Sequence, residues 1–226
     1  MLINQQYLEQ PYRGETALHM AIAKGNIPLV DLLLENGASL TKRCTGNFFR
    51  LPRGLYVGEL PHSFAACVAT QNDSNRELFD KLMEYTATKS LEENPVKEGG
   101  PEESGRTAEE VAKMRERRRA VIAQGAKREL LKNADAAEGE TKGNSVFHVL
   151  VLTGNLDMYS YIVNRYHDIA IEVEGQRNEA KLTPLTLSAS VGNPKFFDYL
   201  VMKRKITHWQ FGRKELFFSN SAGRVV

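Results

Sequence analysis

Histidine and cysteine are the side chains of this 226-residue chain best suited to nucleophilic or metal chemistry, and their spacing speaks against both. His62 and Cys67 are close neighbours, in "HSFAAC". A thiol made reactive by imidazole needs the two groups on one face and a third group to orient the base. Five positions along a helix carry the two side chains to different faces, and no acid stands nearby to orient the ring. His19 and His148 each end a four-residue opening, "TALH" and "SVFH". There the two ring nitrogens suit a structural tie between one turn and its neighbour. The chain has no Cys/His cluster at metal spacing, Walker loop, dinucleotide glycine pattern, Gly-x-Ser-x-Gly elbow or His-Glu-x-x-His helix. The expectation is a protein without catalytic residues, metal or cofactor.

The other chemistry-bearing group is a basic run, Lys113, Arg115, Arg117, Arg118 and Arg119, set among Val111, Met114, Val121 and Ile122. It follows Thr107 and Glu110, whose hydroxyl and carboxylate can satisfy the first free amides of a helix. Such a helix is a candidate for binding calmodulin or an acidic membrane surface. The plainer reading is a solvated helix, since Glu109, Glu110 and Glu116 are interleaved. Nucleic acid is not expected: the net charge is only +2, and no groove-reading motif or aromatic platform accompanies the charge.

Apolar surface also stands where a connection is expected. "TGNFFRLPRGLYVGE" separates two helical stretches yet carries Phe48, Phe49, Leu55 and Tyr56. Gly46 and Gly54 allow turns, and Pro52 is unsuited to a helix interior. Residues 41–60 therefore read as an extended hairpin, a finger, presenting apolar side chains to another protein.

These groups hang on a repeat. "GETALHMAIAKGNIPLVDLLLENGA", "GELPHSFAACVATQNDSNRELFDKLMEY", "GNSVFHVLVLTGNLDMYSYIVNRY" and "KLTPLTLSASVGNPKFFDYLVMKRK" align with one another. In three of them Gly-Asn starts six residues after His19, His148 or Thr186. Each segment reads as a short helix, a tight turn and a second helix with an apolar stripe, such as Leu29, Val30, Leu33 and Leu34. Helix pairs of this kind cannot bury their faces alone and must stack.

The openings "TALH", "LPHS", "SVFH" and "TPLT" resemble the Thr-Pro-Leu-His start of ankyrin repeats, though none keeps all four letters. A narrower resemblance, to vanilloid-type TRP cation channels, rests on three stretches. "GNFFR" with "YVGELPHSFAAC" is similar to that family's finger and the helix after it, at Phe48, Phe49, Tyr56, Gly58 to Pro61 and Ala65 to Cys67. "KGNSVFHVLV" is similar to a later repeat opening, and "THWQFG" to the Trp-x-x-Gly of the linker after the last repeat, at Trp209 and Gly212. Residues 86–142 have no counterpart in the family pattern, and Arg213 stands where the family has proline.

The resemblance implies an all-α ankyrin-repeat solenoid of about four helix pairs, with a projecting β-hairpin finger and a short β-containing C-terminal linker. The expected organisation is an ankyrin domain over 1–205, with repeats near 14–40, 58–86, 143–170 and 181–205 and a charged insertion at 86–142, followed at 206–226 by the start of a linker to a membrane domain. Within that linker "ELFFS" reads as a strand. The resemblance further implies the cytosolic side of a membrane, a homotetrameric calcium-permeable channel, a finger that touches the neighbouring subunit, and Trp209 as linker anchor. The membrane would be reached through segments absent from this chain. A free-standing ankyrin adaptor that binds another protein is the alternative. The first residues show no secretory signal, and the longest apolar stretches fall short of the roughly 20 residues a spanning helix needs. Two cysteines make no disulfide framework, which suits a reducing compartment.

Overall fold

The structure is a computed structural model; it describes residues 2–10, 12–45, 60–68, 73–96, 105–132, 143–203, 205–211 and 214–219. Helix pairs dominate. The first repeat holds α1 (Ala17–Ala23) and α2 (Ile27–Glu35), the second α3 (Pro61–Val68) and α4 (Asp73–Glu93). After α5 (Ala108–Lys132) come α6 (Val146–Thr153), α7 (Leu156–Arg165), α8 (His167–Glu174), α9 (Pro184–Ser190) and α10 (Pro194–Lys203). Strands β1 (Lys205–Phe211) and β2 (Lys214–Ser219) close the chain as an antiparallel pair.

The Gly-Asn signal has a local physical cause. Gly25, Gly154 and Gly192 all take positive φ (62°, 73° and 68°), a conformation that costs glycine little. The asparagine that follows then caps the outer helix: Asn26 Oδ1 accepts from the Leu29 amide, Asn155 Oδ1 from Met158 and Asn193 Oδ1 from Phe196. One dipeptide thus reverses the chain and starts the second helix.

The inner helices α1, α3, α6 and α9 pack in that order, each against the next. Phe64, Ala65, Ala66, Val146, Phe147 and Leu150 are buried between them, and the two alanines let α3 lie close to its neighbours. Outer helices bury one stripe each: Val30 and Leu34 on α2, Leu78, Phe79, Leu82 and Met83 on α4, Met158, Tyr159, Ile162 and Val163 on α7, Phe196 and Leu200 on α10. Tyr159 joins two repeats edge-on, with ring centroids 5.0 Å from Phe147 and 5.2 Å from Phe196. The chain therefore forms an all-α ankyrin solenoid, as its pattern implied. Of the expected finger, residues 41–60, positions 46–59 lie outside the described residues.

Three features differ from the sequence reading. Helix α4 does not stop near residue 86 but runs to Glu93, because "TATKSLEE" contains good helix formers and no breaker. The charged helix α5 lies along α4 and is not exposed throughout, since Leu130 and Leu131 at its end are buried in the core. An additional helix, α8, fills the connection between the third and fourth repeats and supports α5.

Candidate interaction surface

Position 4 of the repeat opening is a tie. In the third repeat the Ser145 amide and hydroxyl lie 3.1 and 2.8 Å from His148 Nδ1, and His148 Nε2 lies 2.9 Å from the Leu182 carbonyl oxygen. A carbonyl only accepts, so Nε2 carries the proton and Nδ1 accepts from Ser145. Burial holds this imidazole neutral, pulling its pKa down to about 4 against the opposing pull of the Leu182 carbonyl. In the first repeat His19 Nδ1 stands 2.6 Å from the Thr16 hydroxyl, and its ring lies against Phe64. His62 and Cys67 are both buried on α3. Among the described residues no group of three or more His, Cys, Asp or Glu side chains could hold a metal ion.

A polar hub that sequence reasoning missed ties the second repeat to the third. Asp80 on α4 accepts from the hydroxyls of Tyr161 and Tyr166, both at 2.7 Å, and from Arg165 Nε at 3.3 Å. Burial first, and then the Asp80 carboxylate, push the Tyr161 phenol up to about 12, and Tyr166 moves upward for the same reasons. A second hub is the buried Glu174, which accepts from the Tyr159 hydroxyl at 2.6 Å and pairs with Lys203 at 2.8 Å, joining α7, α8 and α10. The only signal for either hub was an acid at a stripe edge, and the partners lie far along the chain.

The basic run lies on α5. Its helix opens as the sequence indicated, with the Thr107 amide donating to Glu110 Oε2 at 2.8 Å and the Glu110 amide to Thr107 Oγ1 at 3.3 Å. Lys113 pairs with Glu109 one turn earlier, while Arg117 and Arg119 are exposed. Towards its end α5 is fastened down: Lys127 pairs with Glu84, Arg128 with Glu172 at 2.8 Å, and Lys132 with Glu172 at 3.5 Å. Between the end of α4 and the middle of α5 runs an open groove of about 760 Å³, edged by Arg117 and Arg118.

The finger residues Phe48, Phe49, Leu55 and Tyr56, and Gly212 of the linker, lie outside the described residues. Trp209 is in β1, opposite Leu216 of β2, just after an irregularity in the pairing. The strand "ELFFS" is present, and its partner, "KITHWQF", was not foreseen.

Stacked helix pairs with capped Gly-Asn turns define an ankyrin-repeat protein, and the ankyrin-repeat family profile matches residues 13–44. The comparison with known proteins is more specific. The chain is 28% identical over 240 residues to transient receptor potential cation channel subfamily V member 1 of Canis lupus familiaris, covering 93% of this chain and 22% of that protein. Subfamily V member 2 of Homo sapiens is 26% identical over 233 residues, with 93% and 24% covered. Subfamily V member 5 of Rattus norvegicus is 30% identical over 220 residues, with 93% and 23% covered. The chain is thus related, over nearly its whole length, to vanilloid-type TRP channels, and it spans about a quarter or less of the length of those relatives. No helix among the described residues is long and apolar enough to cross a membrane.

Proposed function

We propose that this chain is the cytosolic ankyrin-repeat region of a TRP-like, calcium-permeable cation channel subunit, where it makes subunit contacts and takes part in gating regulation. The observation that carries this reading is the alignment of 93% of the chain with vanilloid-type channels. Ankyrin stacks act by presenting surfaces, and buried histidines engaged in structural ties suit an interaction module rather than an enzyme. In this reading residues 1–205 form the repeat domain and 206–226 begin the linker, with Trp209 and Gly212 as its anchor. Phe48, Phe49, Leu55 and Tyr56 meet the neighbouring subunit of a homotetramer. The membrane is reached through segments outside this chain.

Sequencing the transcript beyond the codon for Val226 tests the channel directly. Spanning helices with a pore loop are expected; a stop codon at that point would replace the channel with a free-standing adaptor. The finger is tested separately by Phe48→Ala, Phe49→Ala and Tyr56→Ala in the full-length subunit. Assembly should fall while the repeat domain keeps its melting temperature. Loss of about 3 kcal/mol of domain stability in all three, the cost of truncating a core aromatic, would show that the finger is core instead.

A further inference from the structure

We infer that the groove between α4 and α5 is a docking site for an acidic amphipathic helix of a partner protein. This does not depend on the channel reading. One wall is the end of the α4 segment, Pro95 and Val96, and the other is the α5 face bearing Met114, Val121 and Ile122. Val121 is 69% exposed and continues the apolar lining formed by Met114 and Ile122 out to solvent. Arg117 lies one turn before Val121 on the same face, and it makes no ion pair among the described residues. An apolar floor with cations along its α5 edge matches a helix whose leucines fill the floor and whose glutamates meet that edge.

The shape of the site selects this occupant over a bilayer and over calmodulin. A membrane surface meets protruding side chains, whereas Met114 and Ile122 on the groove floor are only partly exposed. Glu93 lines the α4 side of the groove, so the glutamates of an acidic partner helix would meet the α5 side, where Arg117 and Arg118 lie. Wrapping by calmodulin requires a helix that can be surrounded. Here α5 packs along α4, and its end is buried at Leu130 and Leu131 and paired through Lys127, Arg128 and Lys132.

The test uses the 226-residue chain and a fluorescein-labelled peptide with Leu and Glu at helical spacing, read by fluorescence anisotropy. Saturable binding is expected, and Arg117→Glu and Val121→Asp should each weaken it about tenfold or more, the scale of one close charge pair or one apolar anchor. Arg119→Glu should change affinity less than about twofold, because two positions along a helix turn that side chain away from the groove. Circular dichroism of each variant confirms that α5 is retained. Four outcomes overturn the proposal: no peptide binding, equal sensitivity to Arg117→Glu and Arg119→Glu, binding to phosphatidylserine vesicles but not to the peptide, or binding to calcium-loaded calmodulin but not to the peptide.

Discussion

His148 Nε2 donates a 2.9 Å hydrogen bond to the carbonyl of Leu182, so that the first helix of the third repeat holds the loop that opens the fourth. Nδ1 faces the Ser145 amide, which can only donate to it. A second proton on this ring would therefore meet an N–H, and burial further disfavours the charge.

Acid should loosen the stack through this residue. Its folded pKa is depressed from the ordinary 6.5 to about 4, so below pH 6.5 the unfolded chain binds the extra proton and the folded chain does not. Stability is then full above about pH 6.5, falls as the pH drops towards 4, and loses no more from this group below that; the total is about 3 kcal/mol. Urea unfolding followed by circular dichroism between pH 7 and 4 measures the slope. His148→Gln should be less stable at pH 7 and show a visibly shallower decline. An unchanged slope would mean that His148 titrates alike in both states.

Why His148 could be read from the sequence while Asp80 could not is a matter of range. The Ser145 side of the His tie and the Gly-Asn turns are built from residues within a few positions of one another, and the repeat spacing supplies the neighbouring opening 34 positions on that the other ring nitrogen meets. Asp80 meets Tyr161 and Tyr166 across 81 and 86 positions, and nothing near Asp80 marks it. Helix α8 was missed for a different reason. "HDIAIEVE" follows α7 without a glycine or proline to announce a new element, and it matches no position of the repeat. In α5 the charge count suggested a solvated helix, while the adjacent Leu130 and Leu131, a local signal for burial at one end, were outweighed.

Asp80→Ala should separate the second and third repeats. The buried Tyr166 hydroxyl loses its acceptor, and an unsatisfied buried donor costs about 2 kcal/mol. The exposed Arg165 pair adds little. Asp80→Ala combined with Tyr166→Phe should recover part of the loss, since acceptor and donor then disappear together. Denaturation of the single and double variants gives the coupling. An independent readout is the ultraviolet titration of phenols: Tyr161, now held at about 12 by burial and by Asp80, should move towards 10 in Asp80→Ala. Additive effects on stability with an unmoved phenol titration would remove Asp80 as the link.

The two ends of α5 should respond differently to truncation. Leu131 is fully buried near α8, and Leu131→Ala should cost about 2–5 kcal/mol, as large-to-small changes in cores do. Arg119 is exposed on the first half of the same helix, where Arg119→Ala should stay within about 0.5 kcal/mol. Hydrogen exchange should show the same gradient, with amides near Leu131 protected to the level of the stack and those near Arg115 opening locally at lower free energy. This follows from where α5 is fastened: Lys127, Arg128 and Lys132 pair with α4 and α8, while Lys113 pairs with Glu109 of its own helix. If Leu131→Ala proved as mild as Arg119→Ala, α5 would be an appendage rather than part of the stack. Uniform protection along α5 would instead mean that the basic half is held as firmly as the buried end.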